Sequence, residues 1–500
     1  MEGRRWAVLA VLSASLLIIA MDATILNVAF PSLVADLRPS AIEQLWIVDA
    51  YALALSGLLI TAGALGDRWG RRRLLIVGFA VFAAASLLAT VATAPWLVIA
   101  ARALLGVGGA AIMPSTLSIL RVVFTDPRER ALAFGVWTAV IGAGMALGPM
   151  VGGLLVQWRG WHAAFLVNVP FAAVSIVFGL WLLPESRHPR EGSWDWWGVA
   201  LSLAGMVSFV AGVKLVFGHD LATGLLLLGA GALLLALFTR RQLRIPYPLL
   251  QVRLFADRAF SVAAATVFLG LMGLVAVLFL FSQWFQYVHG HRPFSAGVML
   301  LPAPIALLAA PLFTTRLLDR FAVRKVLGSA MFVAAAGLAL PGAALVAGGL
   351  TYPWIAACLA LNGAGLGVAA TIASSTLMST SPASESGGAA AVDETAYELG
   401  GAFGVAALGS LAVALYRDRL PPLPVSAADS GLIRGSIGEA ATVADRLGGT
   451  AGGRVLAAAG DAFTSATGLT SVAGAVLTAI AGLIAWRLLP EGFRLLDDPH

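Results

Sequence analysis

The chain has 500 residues, of which 59% are hydrophobic and 12% are charged, and its mean hydropathy is +0.90. Soluble domains carry about 25% charged residues, so this composition excludes a soluble protein and indicates a polytopic membrane protein. The net charge of +6 does not indicate a nucleic-acid partner, because the basic residues gather in short loops between apolar segments. A single cysteine, Cys358, excludes a disulfide framework within the chain.

Fourteen apolar segments are long enough to cross a bilayer, which requires about 20 mainly apolar residues. Numbered as spans 1 to 14, they cover residues 6–30, 42–65, 74–93, 95–118, 131–156, 163–183, 195–217, 222–239, 260–288, 295–316, 326–348, 352–378, 391–415 and 465–488. The first follows a short basic segment, as in a signal peptide, but it includes Asp22 and precedes no small-residue cleavage site. It therefore predicts an uncleaved first span.

The distribution of basic residues predicts the orientation. With the N-terminus in the cytoplasm, 22 of the 32 lysines and arginines fall in inner loops and 8 in outer loops. Cytoplasmic loops of membrane proteins carry such an excess, and losing or gaining one span would remove the asymmetry. The sequence therefore predicts an even number of spans in the inner (plasma) membrane, with both termini cytoplasmic.

An internal repeat predicts two related halves. The segments Asp67–Leu75, after span 2, and Asp319–Leu327, after span 10, share an acid, an arginine, an aromatic residue and a basic pair. Repeated halves are typical of alternating-access transporters. We expect an all-α polytopic membrane protein with six-helix bundles over residues 1–190 and 259–500, and two inserted helices with a linker over 191–258.

A long outer loop, 416–464, separates spans 13 and 14. Two stretches within it, Ile437–Leu447 and Val455–Phe463, have apolar residues at helical spacing. They predict short helices on the membrane surface or over the entrance, while an irregular connector is the alternative.

Charged residues within spans are candidates for function because burying them is costly. Asp22, Asp49 and Arg102 are expected in one layer, roughly 10–12 Å from the outer surface at 1.5 Å per residue. Two acids and a base at one depth can exchange protons, or they can form a static ion pair that locks spans 1 and 4. Lys214 is expected to extend to the surface without a role, and Asp195 to be structural.

Span 13 carries three acids, Asp393, Glu394 and Glu398. The first two lie near its inner end, where water can solvate them. Glu398 is deeper and is the better candidate for proton carriage or contact with a cation. The alternative is a carboxyl group bonded within the helix bundle.

Aromatic rings beside these acids predict a site for an organic cation. Trp46 and Tyr51 flank Asp49 in sequence, and Tyr397 precedes Glu398. Most aromatic residues in such a chain face lipid or neighbouring helices, so the proximity in sequence is a weak signal.

Span 5 contains a stripe of glycines at every fourth position, Gly144, Gly148 and Gly152, followed by Gly153. A neighbouring helix can approach a surface without side chains closely. Pro149 removes a backbone hydrogen bond and kinks the helix. The pattern predicts a pivot for two rocking halves, with ordinary helix packing as the alternative.

The sequence has no metal-ligand cluster, phosphate-binding loop, nucleophile elbow or haem motif, so neither an enzyme nor a bound cofactor or metal is expected. Without an ATP site, the driving force must be an ion gradient or that of the substrate itself.

These motifs together resemble the fourteen-span drug:H+ antiporters of the major facilitator superfamily, the QacA/EmrB-like group, and most closely its QacA-like branch. The matching segments are Met21–Pro31, Trp46–Tyr51, Gly63–Arg73, Arg102–Gly106, Gly144–Gly153, Trp158–Pro170 and Glu394–Gly404. Phe30 stands where the family usually has leucine.

The resemblance implies a major facilitator fold and a proton-relay role for Arg102. It also implies that one loop motif holds the cytoplasmic gate: Gly63, Gly66, Asp67, Arg68, Gly70, Arg71 and Arg72. The expected function is multidrug or antibiotic efflux of amphipathic, cationic compounds in exchange for protons, by a monomer in the lipid bilayer. Proton coupling is expected at Asp22, Arg102 and Glu398, and substrate contact at Asp49, Trp46, Tyr51, Tyr397 and Glu398. An uptake or lipid-translocating transporter of the same fold, or a non-transporting receptor or membrane enzyme, is the alternative.

Overall fold

The computed structural model describes residues 2–124, 126–185, 195–217, 220–246, 248–381 and 386–490. A few helical side chains, including that of Asp67, lie outside the described part. Within these ranges there are fourteen helices long and apolar enough to cross a membrane, and no strand. The predicted number of spans is confirmed.

The first eight spans are nearly uninterrupted helices. Their bounds are Glu2–Leu37, Ala41–Trp69, Arg71–Thr90, Pro95–Val123, Pro127–Arg159, the pair His162–Leu166 and Asn168–Leu182 that forms span 6, Trp196–Phe217 and Leu221–Gln242. Ser40 begins span 2 with a capping box, in which its hydroxyl and the Glu43 carboxylate each bond the other's backbone N–H. Gly70, at φ +107°, separates spans 2 and 3, because a residue with a side chain rarely adopts that conformation.

The remaining spans are more irregular. A short 3-10 turn, Val252–Ala256, precedes span 9, which runs over Arg258–Gln283 and ends in a π-helical turn, Trp284–Val288. Span 10 consists of Pro293–Met299, Pro302–Ala309, a 3-10 turn at Ala310–Phe313 and Thr314–Leu318. Spans 11 and 12 are Val323–Val346 and Tyr352–Ser379; span 13 comprises Ser386–Gly404, a π-helical turn at Val405–Gly409 and Ser410–Arg419; span 14 is Gly449–Leu488.

The packing of the spans confirms two related halves. In the first half, span 1 packs along span 5, span 2 along span 4, and span 3 against spans 4 and 6. The second half repeats these pairs: span 9 with span 13, span 10 with span 12, and span 11 with spans 12 and 14. The end of the bundle with Arg68–Arg73 is the basic end, and the opposite end, with segment 420–448, is the loop end.

The halves meet toward the loop end in the described part of the chain. The Tyr287 hydroxyl of span 9 donates to the Pro31 carbonyl of span 1 over 3.2 Å. Phe294 at the start of span 10 packs on Gly153 near the end of span 5. Spans 2 and 13 share an apolar contact around Leu53.

Spans 7 and 8 form the predicted inserted pair and pack along each other, and span 7 also packs against span 2. Asp195 fixes the pair at the basic end. Its carboxylate accepts from the Gly198 backbone N–H at 2.8 Å, Arg241 Nε at 2.7 Å and Gln242 Nε2 at 2.9 Å. Burial favours a higher pKa for Asp195, but these hydrogen bonds outweigh it and lower the pKa below its usual value. The structural role expected for Asp195 is consistent with this geometry.

Glu185, after span 6, holds the arginine loop at the basic end. Its carboxylate accepts from the Arg72 backbone N–H at 3.2 Å and pairs with Arg73 at 3.7 Å. Arg72 also donates to the Leu183 carbonyl at 3.3 Å. The loop is therefore anchored to its own half.

The loop predicted over 416–464 is shorter than expected. Span 13 continues to Arg419 and span 14 begins at Gly449, so the predicted helix Val455–Phe463 is part of span 14. The boundary was wrong because small residues such as alanine and glycine give a weak hydropathy signal, although the helix is continuous. Helix Ile437–Leu447 has the predicted bounds, and an additional helix, Ala427–Gly435, precedes it.

These two helices form a cap over the loop end that touches both halves. The Gln44 amide of span 2 donates to the Ser436 hydroxyl at 3.1 Å. Gly438 packs directly against Val34 of span 1 and Tyr287 of span 9. The structure therefore favours the predicted helices over an irregular connector.

The cap should loosen as pH rises through 7, because burial raises the pKa of Glu439 to about 7, an effect that Arg417 only partly offsets. Glu439 has a pKa of 4.5 in the unfolded chain and about 7 in the folded cap, so the folded cap binds its proton more tightly. The resulting stabilisation is fully present below pH 4.5 and is lost as the pH rises through about 7. Hydrogen exchange of residues 427–447, corrected for intrinsic rates, should be faster at pH 8 than at pH 6. Glu439→Gln should remove the difference, whereas Asp445→Asn, at an exposed position of the same helix, should keep it. An unchanged pH profile in Glu439→Gln would contradict this assignment.

Candidate functional site

A buried ion pair joins spans 1 and 4. Arg102 Nη1 donates to Asp22 Oδ2 at 2.8 Å, and the two side chains are 3% and 0% exposed. Arg102 Nε donates to the backbone carbonyl of Ile47 in span 2 at 3.2 Å. The guanidinium thus ties three spans together at the layer where the sequence predicted charge.

Asn168 of span 6 completes the environment of Asp22. Its amide donates to Asp22 Oδ1 at 2.8 Å and lies 3.2 Å from the Ser86 hydroxyl of span 3. Both carboxylate oxygens of Asp22 therefore accept a hydrogen bond, one from Arg102 and one from Asn168. Asn168 was not among the residues predicted from the sequence, although an amide side chain in an apolar span was an available signal.

Arg102 also lies close to the second half. Its guanidinium carbon lies 4.5 Å from the centroid of the Tyr51 ring. Glu398 of span 13 lies within Coulombic range of Arg102 and of Tyr51. Asp22 and Glu398 therefore act on Arg102 from different halves.

A second buried ion pair, which was not predicted from the sequence, joins spans 2 and 7. Lys214 Nζ is 3.0 Å from Asp49 Oδ2, with the side chains 1% and 0% exposed. The same ammonium group lies 3.8 Å from the centroid of the Trp46 ring. The expectation that Lys214 extends to the surface was wrong, because Asp49 and Trp46 together provide a buried partner for it.

The three residues predicted to bind substrate from span 2 do not form one group. Trp46 and Asp49 are three residues apart and share a helix face, where both meet Lys214. Tyr51 is two residues beyond Asp49 and faces Arg102 instead. The predicted grouping failed because it relied on proximity in sequence rather than on helical periodicity.

The acids of span 13 are half-buried. Asp393, Glu394, Tyr397 and Glu398 all have intermediate exposure. Gly400 and Gly404 of this span pack against the backbone of span 9 at Phe268 and Met272. The span is therefore held closely within its half while its acidic part remains partly accessible.

The glycine stripe of span 5 faces span 1. Gly144 lies against Ala20, and Gly148 against Met21 and Thr24. The Thr24 hydroxyl is 3.3 Å from the Met145 carbonyl. The two backbones thus approach closely, as the glycine spacing predicted.

The end of the same motif contacts the other half. The carbonyl of Pro149 lies against Gly297 of span 10, and Gly153 against Pro293 and Phe294. Pro149 has no N–H to donate within its helix, and the glycine on the opposing span leaves room for the Pro149 carbonyl. The motif therefore lies at a junction between its own half and the partner half.

The folded chain is a two-part helical transporter, and comparison with known proteins identifies its family. The model of the Major Facilitator Superfamily matches residues 12–405, and the chain belongs to that superfamily. It is similar to the multidrug efflux pump LfrA of Mycolicibacterium smegmatis, with 41% identity over 88% of each chain.

Two further relatives also carry names that refer to resistance. The methyl viologen resistance protein SmvA of Salmonella typhimurium is 34% identical over 91% of this chain and 92% of that one. The tetracenomycin C resistance and export protein of Streptomyces glaucescens is 34% identical over 89% of this chain and 82% of that one. The resemblance to a drug-efflux family of the superfamily is confirmed, because the names of two of the three relatives refer to efflux or export.

The fold has a solved counterpart. A crystal structure of a bacterial homologue of the human lysosomal transporter Spinster, in an inward-facing and unoccupied conformation, matches with a TM-score of 0.66. It covers 97% of this chain and 98% of that one at 16% identity, so it supports the fold alone. The prediction of a multi-pass major facilitator fold is confirmed.

Proposed function

We propose that this protein exports amphipathic cations in exchange for protons by alternating access, with its basic end and both termini in the cytoplasm. The observation that carries the proposal is the position of Arg102, bonded to Asp22 in its own half and attracted by Glu398 of the other. The names of the relatives, which refer to efflux, resistance and export, favour export over uptake or lipid translocation.

Glu398 is the proposed site of competition between proton and substrate. Glu398 is a partly exposed residue, so it can meet water and ligand, while Asp22 is fully buried and held by Arg102 and Asn168. A charged Glu398 attracts Arg102 or an incoming organic cation, and a protonated Glu398 attracts neither strongly. A proton that binds from outside would therefore favour release of the cation.

The change of access is proposed to use the junctions between the halves. The loop end, closed by Tyr287 and Phe294, would be the outer gate. The glycine-lined junction of spans 1 and 5 would be the pivot, and Asp67 with the nearby arginines the inner gate. We place the boundaries of the two bundles at residues 190 and 259, on either side of the inserted pair and its linker.

The membrane potential adds to the driving force. Each net charge that moves through the field contributes about 2.3 kcal/mol per 100 mV. Export of a monovalent cation for one proton is electrically neutral, so only the pH gradient would drive it, whereas exchange for two protons would also use the potential.

Proton exchange on reconstituted protein tests the proposal. In liposomes with a trapped pH dye, tetraphenylphosphonium should cause proton movement through the wild-type protein, and Glu398→Gln should abolish this movement while still binding the compound. Asp418→Asn, which changes an exposed acid at the end of the same span, is the matched control and should behave as wild type. Equal proton movement in Glu398→Gln and wild type would refute the assigned role.

A further inference from the structure

The Lys214 ammonium group lies in an environment that suits an organic cation. The nitrogen of this group lies 3.0 Å from a carboxylate oxygen of Asp49 and 3.8 Å from the centroid of the Trp46 ring. A carboxylate together with an aromatic face is the recognition pattern for ammonium ligands in general. In the structure, this site is filled by a side chain of the protein itself.

The pair contributes little to the stability of the fold by its burial alone. Both side chains are almost completely removed from solvent, and the desolvation of two charges offsets most of their attraction. Apolar residues of similar volume would fill the same space between spans 2 and 7 without that cost. A functional use of the two charges explains them better than packing does.

Lys214 also has an alternative position. It lies three residues before Phe217, the last residue of its helix. A lysine so close to the helix end can extend its stem along the apolar surface and place its ammonium group in the aqueous layer. The group can therefore leave Asp49 without becoming an isolated charge in the membrane.

The site adjoins the junction of the two halves. Leu53 of span 2, Met206 and Val210 of span 7, and Ala402 and Ala406 of span 13 form one apolar cluster, and Trp46 packs against it. A relative movement of the halves would therefore change the access to Asp49.

We propose that Lys214 is an internal occupant of an organic-cation site formed by Asp49 and Trp46, and that an exported cation binds there by displacing its ammonium group. This inference rests on the proposed export of cations and assigns the inserted helix pair a part in it. Competition by a tethered ammonium group weakens the binding of every cation at this site and favours its release. This competition does not weaken the binding of neutral compounds, so it affects the selectivity between cationic and neutral compounds as well as the affinity for cations.

Lysine acylation tests displacement in the unmodified protein. The chain has two lysines, Lys214 and the exposed Lys325, which is an internal control. Purified protein in nanodiscs is treated with a small acylating reagent, and modification is measured by peptide mass spectrometry. Saturating tetraphenylphosphonium should accelerate acylation of Lys214 by about tenfold, as expected when an ammonium group leaves a desolvated site, and leave Lys325 unchanged. Neutral triphenylphosphine oxide should have no effect.

Two variants make the test independent of the labelling. Lys214→Met should lower the Kd of tetraphenylphosphonium about tenfold by removing the competitor, and the double variant Asp49→Asn, Lys214→Met should lose this gain. The proposal is overturned if Lys214 stays protected at saturation, or if folded Lys214→Met binds no tighter than wild type. These readouts do not require transport. If tetraphenylphosphonium causes proton movement but does not change the acylation of Lys214, only the displacement of Lys214 is refuted. If it accelerates acylation of Lys214 but causes no proton movement, only the proposed exchange for protons is refuted.

Discussion

Replacing Arg102 with alanine should reduce proton-coupled export about 100-fold or more, because it removes the cation that lies between Asp22 and Glu398. It should also destabilise the fold, since removal of one partner from a buried ion pair costs about 3–5 kcal/mol. The substitution leaves the fully buried Asp22 without its cationic partner. It also removes the donor to the Ile47 carbonyl and the cation near Glu398. Three spans lose a common partner, and Glu398 loses a nearby cation.

Two variants separate loss of function from loss of fold. Arg102→Lys keeps the charge but cannot reproduce the planar group that bonds both Asp22 and Ile47, so it should also fail in export. Asp22→Asn combined with Arg102→Ala removes both buried charges and should restore thermal stability without restoring export. Arg454→Ala changes an exposed arginine and is the control. Export is measured in proteoliposomes and stability by the unfolding midpoint; active export by Arg102→Ala would contradict the proposed role.

The fold could be predicted largely from the sequence, because the bilayer imposes simple rules. Backbone groups in lipid must bond internally, so each long apolar segment becomes a helix. The repeat of Asp67–Leu75 at Asp319–Leu327 predicted the two halves, and the equivalent pairing of spans in each half confirms them. Lengths were less predictable where small residues continue a helix beyond the apolar part, as at Gly449 in span 14.

The layer of charge at Asp22 and Arg102 could also be predicted, because both depths follow from the rise of a helix. The rotation of one helix against another could not. Lys214 lies near a helix end, where both the surface and the interior are within reach, and only the position of span 7 beside Trp46 decides between them. Asn168 was missed because an amide alone does not indicate which neighbour it bonds.

The helix Ala427–Gly435 shows a different limit. It contains a glycine within its sequence and has weak intrinsic helical preference. A tertiary contact supports it: the Tyr416 hydroxyl of span 13 donates to the Ile433 carbonyl at 2.8 Å. Such a contact is not visible before the fold is known. This helix of the cap is therefore a consequence of the assembled loop end rather than of a local signal.

Replacing Gly148 with valine should abolish export, because any side chain at this position would collide with span 1. A Cβ there meets the Thr24 hydroxyl and lies 2.9 Å from the Met21 carbonyl oxygen. Overpacking of this kind costs about 1–3 kcal/mol, and the backbone carbonyl cannot move aside as a side-chain tip could. Because the opposite flank of span 5 contacts span 10 through Pro149 and Gly297, the displacement would also disturb the junction of the halves.

A graded series isolates the steric cause. Gly148→Ala should be milder than Gly148→Val, and Thr24→Ala should partly rescue Gly148→Ala, because it removes the nearest oxygen. Gly229→Ala in span 8, where a Cβ meets nothing within 4 Å, is the matched control for a glycine in a span and should leave export unchanged. Tetraphenylphosphonium binding and export are measured on the same preparations. Since the glycine surface is proposed as a pivot, binding should persist while export is lost; normal export by Gly148→Val would show that spans 1 and 5 need not remain in close contact.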